Sequence, residues 1–326
     1  MRRTTPNHAK AARRHSCGTP AALVVVAALF AASLLLSSCA SGKNRPVTRI
    51  KENARSFEEL ALEHFAAGDI KGSLHFFEKA LAEDRKVYNI PGVSSDLYNI
   101  ARCYVSLELY DNADRVLAEA DEINTNAGNR SGLADDSLLH AQIRIRRGEY
   151  DAAAALLDEA FSLYKEDKND LGTANAYNSM GSLALKTARY EQAYEYLDTA
   201  AAIFKRMKNR AGLAVSYNNL GYLFEQQGNE QQSARTYLLA LEQDTFLENS
   251  IGISSDLHNI ARLYKKTGAF EKALYYYKRA LDTNRALSLA DRIRQDLENI
   301  VDILGSMGRD EEKALYVKAL KELTGA

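Results

Sequence analysis

Residues 214–252 read AVSYNNLGYLFEQQGNEQQSARTYLLALEQDTFLENSIG. Tyr217, Leu220, Gly221 and Phe224 are spaced 3, 1 and 3 apart, which places them on one face of a helix. Gly228 stands where that helix should end, because a left-handed terminal residue costs least as glycine. Ser233, Tyr237, Ala240 and Leu241 follow at spacings of 4, 3 and 1 and give a second amphipathic helix. Asn249 and Gly252 read as the next corner, since asparagine tolerates the left-handed conformation better than most residues. The stretch is therefore a helix–turn–helix hairpin. The small Gly221 and Ala240 let its helices approach closely, and Tyr217 and Tyr237 fill the gaps between hairpins.

Working outward, the unit recurs along the chain. Asn-x-x-Gly occurs at Asn89–Gly92, Asn129–Gly132, Asn169–Gly172, Asn209–Gly212 and Asn249–Gly252, each 40 residues after the last. A second frame holds Gly68, Gly148, Gly228, Gly268 and Gly308, with Glu108 and Ala188 between them. A third holds Ala80, Ala120, Ala160, Ala200, Ala240 and Ala280. Several positions sharing one period mark a stacked repeat architecture. The chain has only 4 prolines in 326 residues, which suits long helices because proline inside a helix breaks it.

The pattern resembles the tetratricopeptide repeat. That family's order of small, aromatic, Gly, aromatic, Ala, aromatic and Ala is met by Ala261, Tyr264, Gly268, Phe270, Ala273, Tyr277 and Ala280. It begins again with Ala101, Tyr104, Tyr110 and Ala113, and recurs with Gly181, Tyr190, Ala193 and Ala200. An earlier unit fits through Ala61, Gly68, Ser73, Phe77 and Ala80, with His64 and Ile70 in place of the usual aromatics. The last unit keeps Val301, Leu304 and Gly308, but Asp310 and Lys313 replace an aromatic and a small residue. A more polar final helix suits a cap, because nothing packs beyond it. The resemblance implies an all-α fold, a right-handed α-α superhelix of about seven helix–turn–helix repeats over residues 55–326. Units of 40 residues exceed the family's usual 34, so helices or corners should be longer.

The N-terminus differs in kind. Arg2, Arg3, Lys10, Arg13 and Arg14 precede an apolar run from Ala21 to Leu36, broken only by Ser33. A basic stretch followed by a short apolar one is the layout of a secretory signal, here residues 1–38. Its 16 residues fall short of the roughly 20 that span a bilayer as a helix. Leu36-Ser37-Ser38-Cys39 follows and resembles the bacterial lipobox, in which the cysteine is lipidated and becomes the new N-terminus. The competing reading is an uncleaved signal anchor with Cys39 incidental. Residues 39–54 read as a lipid-anchored flexible tether. Ala40 and Ser41 lack the aspartate that retains lipoproteins at the inner membrane in enteric bacteria. By that resemblance the outer membrane, facing the periplasm, is the expected location.

Removing the five basic residues of the signal from 42 leaves 37 against 43 acids, so the formal charge moves from −1 to −6. That argues against a nucleic-acid partner, which needs a basic footprint. Cys17 leaves with the signal and Cys39 is acylated. Cys103 is then the lone thiol, without a partner for a disulfide or a paired-cysteine metal site. No phosphate loop, His-Glu-x-x-His or Gly-x-Ser-x-Gly motif occurs, and His64, His75, His140 and His258 occupy unrelated repeat positions. Neither an enzyme, a cofactor nor a metal is expected.

In the tetratricopeptide family the first helix of each hairpin lines a concave groove. Two places before the small Ala or Gly of that helix stand Asn99, Asn219, Asn259 and Asn299, with Glu59, Leu139 and Ser179 as departures. An asparagine offers donor and acceptor, so a ladder of them can pair with an extended peptide backbone. Arg102 and Arg262 lie three places further on and supply charge for a carboxylate. The alternative is that these asparagines bridge neighbouring hairpins. Residues 94–104 and 254–264 differ at only two of eleven positions, which suggests either two similar docking points or recent gene conversion. The expected function is a membrane-anchored scaffold that recruits a protein or peptide partner of an envelope complex. A ligand receptor for a transporter and a self-associating spacer are the rivals.

Overall fold

The computed structural model describes residues 45–324, which form fourteen α-helices and no strand. In chain order they are α1 (Arg45–Ala66), α2 (Ile70–Lys86), α3 (Ile90–Ser106), α4 (Tyr110–Ala127), α5 (Arg130–Arg147), α6 (Tyr150–Glu166) and α7 (Asp170–Lys186). There follow α8 (Tyr190–Met207), α9 (Arg210–Gln226), α10 (Glu230–Phe246), α11 (Ser250–Lys266), α12 (Phe270–Ala286), α13 (Ala290–Ser306) and α14 (Asp310–Thr324). These are seven hairpins, and residues 50–326 make one compact unit. The expected signal, Cys39 and residues 39–44 of the tether lie outside the described residues. Among the described residues no helix is long and apolar enough to cross a membrane.

The helix begins ten residues before the expected start of the array. Residues 45–54, read from their polarity as tether, are the first turns of α1. Pro46 sits in the first turn, where its missing N–H has no helical acceptor to lose, and Ala54 is already buried. Polarity alone misled, because three sides of this helix face water.

All thirteen corners share one design. A left-handed residue recurs every 20 positions, from Gly68 through Tyr88, Glu108 and Gly128 to Gly308. Six of them are glycine and seven are not, with φ between 53° and 59° at the seven. This corrects the reading of Asn249 as the left-handed residue, since that conformation belongs to Glu248. Asn249 has φ −75° and is the N-cap of α11, its side chain accepting from the N–H of Gly252. Asn129, Asn169 and Asn209 cap in the same way. The glycine of Asn-x-x-Gly has a separate task. A Cβ at Gly172 or Gly212 would lie 2.1 or 2.3 Å from the ring of Tyr164 or Phe204, so the motif joins a cap to a close helix approach. Corners are two or three residues long, so the repeat's extra length lies in helices of mostly 17 or 18 residues.

Burial follows the period. Ala80, Ala120, Ala160, Ala200, Ala240 and Ala280 are wholly buried, and each neighbouring pair of hairpins shares a local apolar cluster. A Cβ on Gly221 would stand 2.6 Å from the Tyr237 ring, which is why the hairpin's helices need a glycine there. Cys103 is buried, 3.4 Å from the Ser73 hydroxyl, and burial pushes its thiol pKa up, away from reactivity. The odd-numbered helices α3, α5, α7 and α9 touch one another in succession, so they form the inner layer of the stack. The last described helix, α14, has no buried residue and leaves Leu315 exposed.

Candidate functional site

The inner faces of α3, α5, α7 and α9, with Phe65 at the end of α1, enclose a groove of about 640 Å³. Its lining recurs at one set of repeat positions: Tyr98, Leu138 and Asn178; Leu139, Ser179 and Asn219; Arg102, Gln142 and Ser182. Spacings of three and four put these on one stripe of each inner helix. The charged residues in the groove are Arg102 and Arg146, and no carboxylate is among the described residues that line it. In a chain whose acids exceed its bases, that is a local inversion of charge. Arg102 is half-buried and held by three contacts. Its guanidinium lies 4.9 Å from the Phe65 ring centre and 5.9 Å from that of Tyr98, and Nη1 donates to Asn99 Oδ1 at 2.9 Å. An arginine fixed on aromatic faces with donors to spare is built to receive a carboxylate.

The six residues expected to line the groove divide. Arg102 and Asn219 line it. Asn99 turns onto its own helix, donating to the Ser95 carbonyl while it steadies Arg102. Asn259 lies in a separate polar cavity of about 260 Å³ and donates to Asn218 Oδ1 at 3.2 Å. Asn299 donates to the Gln295 carbonyl and accepts from Lys265. Arg262 makes a two-pronged pair with Glu225, at 2.7 and 2.9 Å, so its carboxylate partner is internal. No continuous asparagine ladder forms. Asn175, Asn178, Gln142 and Arg146 line the groove instead. Counting three or four residues either way from Leu139 and Ser179, two of the three departures from the ladder, reaches Gln142 and Asn175.

A model of the tetratricopeptide repeat matches residues 133–206, 172–245 and 212–286, and a second such model matches residues 97–126. Together they span more than half of the chain. The chain belongs to the tetratricopeptide repeat family. None of the curated proteins compared with it matches. Among solved structures, a Rap protein complexed with competence and sporulation factor superposes with a TM-score of 0.64 at 15% identity, over 84% of this chain and 75% of that one. BtubC (BKLC) from P. vanneervenii gives 0.57 at 20% identity, over 65% of this chain and 88% of that one. Aspartyl phosphate phosphatase F from Bacillus subtilis gives 0.52 at 12% identity, over 77% and 76%. At such identities the likeness is one of fold.

Between successive tetratricopeptide hairpins the stack carries buried nodes, all but one of them polar, that sequence reading did not find. Each joins an inner helix, the outer helix that follows it and the next inner helix. Asp136 accepts from Asn124 at 2.6 Å. Asn178 accepts from Ser216 at 2.9 Å, next to Phe204. Asp256 accepts from Asn218 at 2.6 Å and faces Asp244. Asp296 accepts from Asn284 at 2.7 Å and lies 3.2 Å from His258 Nδ1. The third node is apolar, with Leu138, Tyr164 and Ala176. The first consists of Glu58, Asp84 and Asp96. Burial raises the carboxyl pKa of Asp96, Asp136, Asp244 and Asp256, to about 7 at Asp136, where donation from Asn124 partly opposes it.

Proposed function

We propose that the protein is a membrane-anchored scaffold whose groove holds an extended, acidic segment of a partner protein in the cell envelope. The observation that carries this is the groove lined by no carboxylate, in which Arg102 and Arg146 stand among side-chain amides from three successive inner helices, α5, α7 and α9. Amides at one-hairpin spacing pair with peptide backbone, and the arginines select an acidic side chain or a terminal carboxylate. The similar fold of the Rap protein, complexed with competence and sporulation factor, supports a stack of this build holding a ligand. Anchorage is assigned to the acyl chains of Cys39, after removal of residues 1–38, at the outer membrane facing the periplasm.

Two experiments test the two halves of this reading. Charge reversal at Arg102 and Arg146 should lower crosslinked capture of the partner from membranes at least about tenfold, the effect of losing one charge-assisted contact of about 1.4 kcal/mol. Helix content must be equal in the two proteins, and the crosslinked segment must map to α3–α9. Unchanged capture moves the binding surface elsewhere on the stack. Separately, Cys39→Ser should shift the protein from the membrane fraction to the soluble one. A variant that stays membrane-bound by fractionation and carbonate wash overturns lipid anchoring and favours the uncleaved signal anchor.

A further inference from the structure

The first node differs from the other five. Glu58 of α1, Asp84 of α2 and Asp96 of α3 bring three carboxylates together, each offering one oxygen within 4.8 Å of the others. Asp84 is 1% exposed and Asp96 is 0% exposed, while Glu58 is half-buried. Asp84 Oδ1 and both carboxylate oxygens of Asp96 have no hydrogen-bond partner. We propose that this node binds a divalent cation of calcium's size.

The rest of the stack supplies the control. Where an aspartate occupies the next inner helix, the surrounding helices present a donor: Asn124 to Asp136, Asn218 to Asp256, and Asn284 to Asp296. The outer-helix residue is served as well. Ser94 donates to Asn124 and Ser254 to Asn284, whereas Ala54 holds the corresponding place beside Asp84. Asn129 and Asn249 donate to Asn124 and Asp244, but Asn89 makes no side-chain cap bond. Arg55 acts on Glu58 from the exposed side of α1 and pairs with none of the three acids. At the first node, therefore, no hydrogen bond reaches Asp84 Oδ1 or either oxygen of Asp96. Carboxylates buried in that condition either keep a proton or take a cation among them.

The dimensions and the ligand type select the ion. Calcium sits roughly 2.3–2.6 Å from its oxygens, so two ligands across it stand about 4.8 Å apart. An all-carboxylate set favours a hard cation over zinc or copper. Three protein oxygens leave room for water on the Glu58 side, which suits a site of moderate strength. The ion would tie the first hairpin to the second.

Calorimetric titration of the chelator-treated full-length protein with calcium chloride, at constant ionic strength, tests this. The expected result is a single ion per chain, with a dissociation constant on the order of 0.1–1 mM and a saturable rise in melting temperature. Asp96→Asn should weaken binding at least tenfold. Without the ion that variant should melt no lower than the natural protein, because it removes a like charge; this separates lost binding from lost folding. Asp256→Asn, at a node that has its own donor, should leave calcium binding unchanged. The proposal is overturned by the absence of saturable heat up to about 10 mM calcium, or by undiminished binding in Asp96→Asn.

Discussion

Replacing Arg262 by alanine lowers the unfolding free energy by about 3 kcal/mol, the lower end of the range for breaking a buried ion pair from one side. Glu225 is only 4% exposed and depends on Arg262 for two of its contacts, with Tyr237 donating a third at 3.2 Å. Without the guanidinium a carboxylate stays in the core with only Lys266, 3.5 Å away and more exposed, to offset it. That residual cation and the solvent around Arg262 keep the loss near the low end. Urea melts monitored by circular dichroism measure it. The double variant Glu225→Leu with Arg262→Met should recover most of the loss, since removing both charges leaves no orphan. A single variant within 1 kcal/mol of the natural protein would sink the argument and return Arg262 to the candidates for ligand binding. The prediction also warns that lost partner capture in Arg262→Ala reports folding before it reports the groove.

Asp244→Asn should have the opposite sign, raising stability at pH 7.5 by about 1.5 kcal/mol, the low end of the worth of one hydrogen bond to a charged group. Asp244 and Asp256 are almost wholly buried and face each other, and burial drives the carboxyl of Asp256 up to about 8. A carboxyl raised in this way keeps its proton in the folded state while the unfolded chain has released it. The folded state thus binds more protons between about pH 4 and pH 8, and unfolding free energy falls as pH rises through that window. An asparagine at 244 reproduces the Asn124–Asp136 arrangement: its oxygen still accepts from Asn249, and its amide donates to Asp256 Oδ2, which now has no partner. The gain should be small at pH 5, where a shared proton already does that work. It is limited at pH 7.5 because Asp136, which has such a donor, is itself held near 7. Melts of both proteins across pH 5 to 8 provide the test, and a variant that is less stable at pH 7.5 would refute the shared-proton account.

The two residues show how differently parts of this molecule could be read. Asp244 gives no sign in the sequence of its partner, because Asp256 lies on the next hairpin. Arg262, three residues after Asn259, reads in the sequence as a groove cation. What that spacing could not say is that Glu225, 37 residues earlier, reaches the same spot from the preceding inner helix. Asn299 and Asn259 follow the same pattern, each satisfied by a neighbour that only stacking brings within reach.

By itself the sequence determined the helices beyond the first turns of α1, where the corners fall, the seven hairpins and the periodic face of each inner helix. These follow from spacings of three and four residues, and from glycines, Asn-x-x-Gly corners and alanines that each keep a 40-residue frame. All are local preferences repeated at a constant period, and repetition multiplies a weak signal. Only the tertiary structure decided which polar side chains meet. It placed Asn249 as a cap and Glu248 as the turn, left Arg102 in the groove while pairing Arg262 with Glu225, and gathered Glu58, Asp84 and Asp96 from three helices. Such meetings depend on the register between stacked hairpins, which is set by how Gly172 and Gly212 admit the rings of Tyr164 and Phe204. A contact across 30 or 40 residues is a property of that packing, and no window of the chain contains both of its halves.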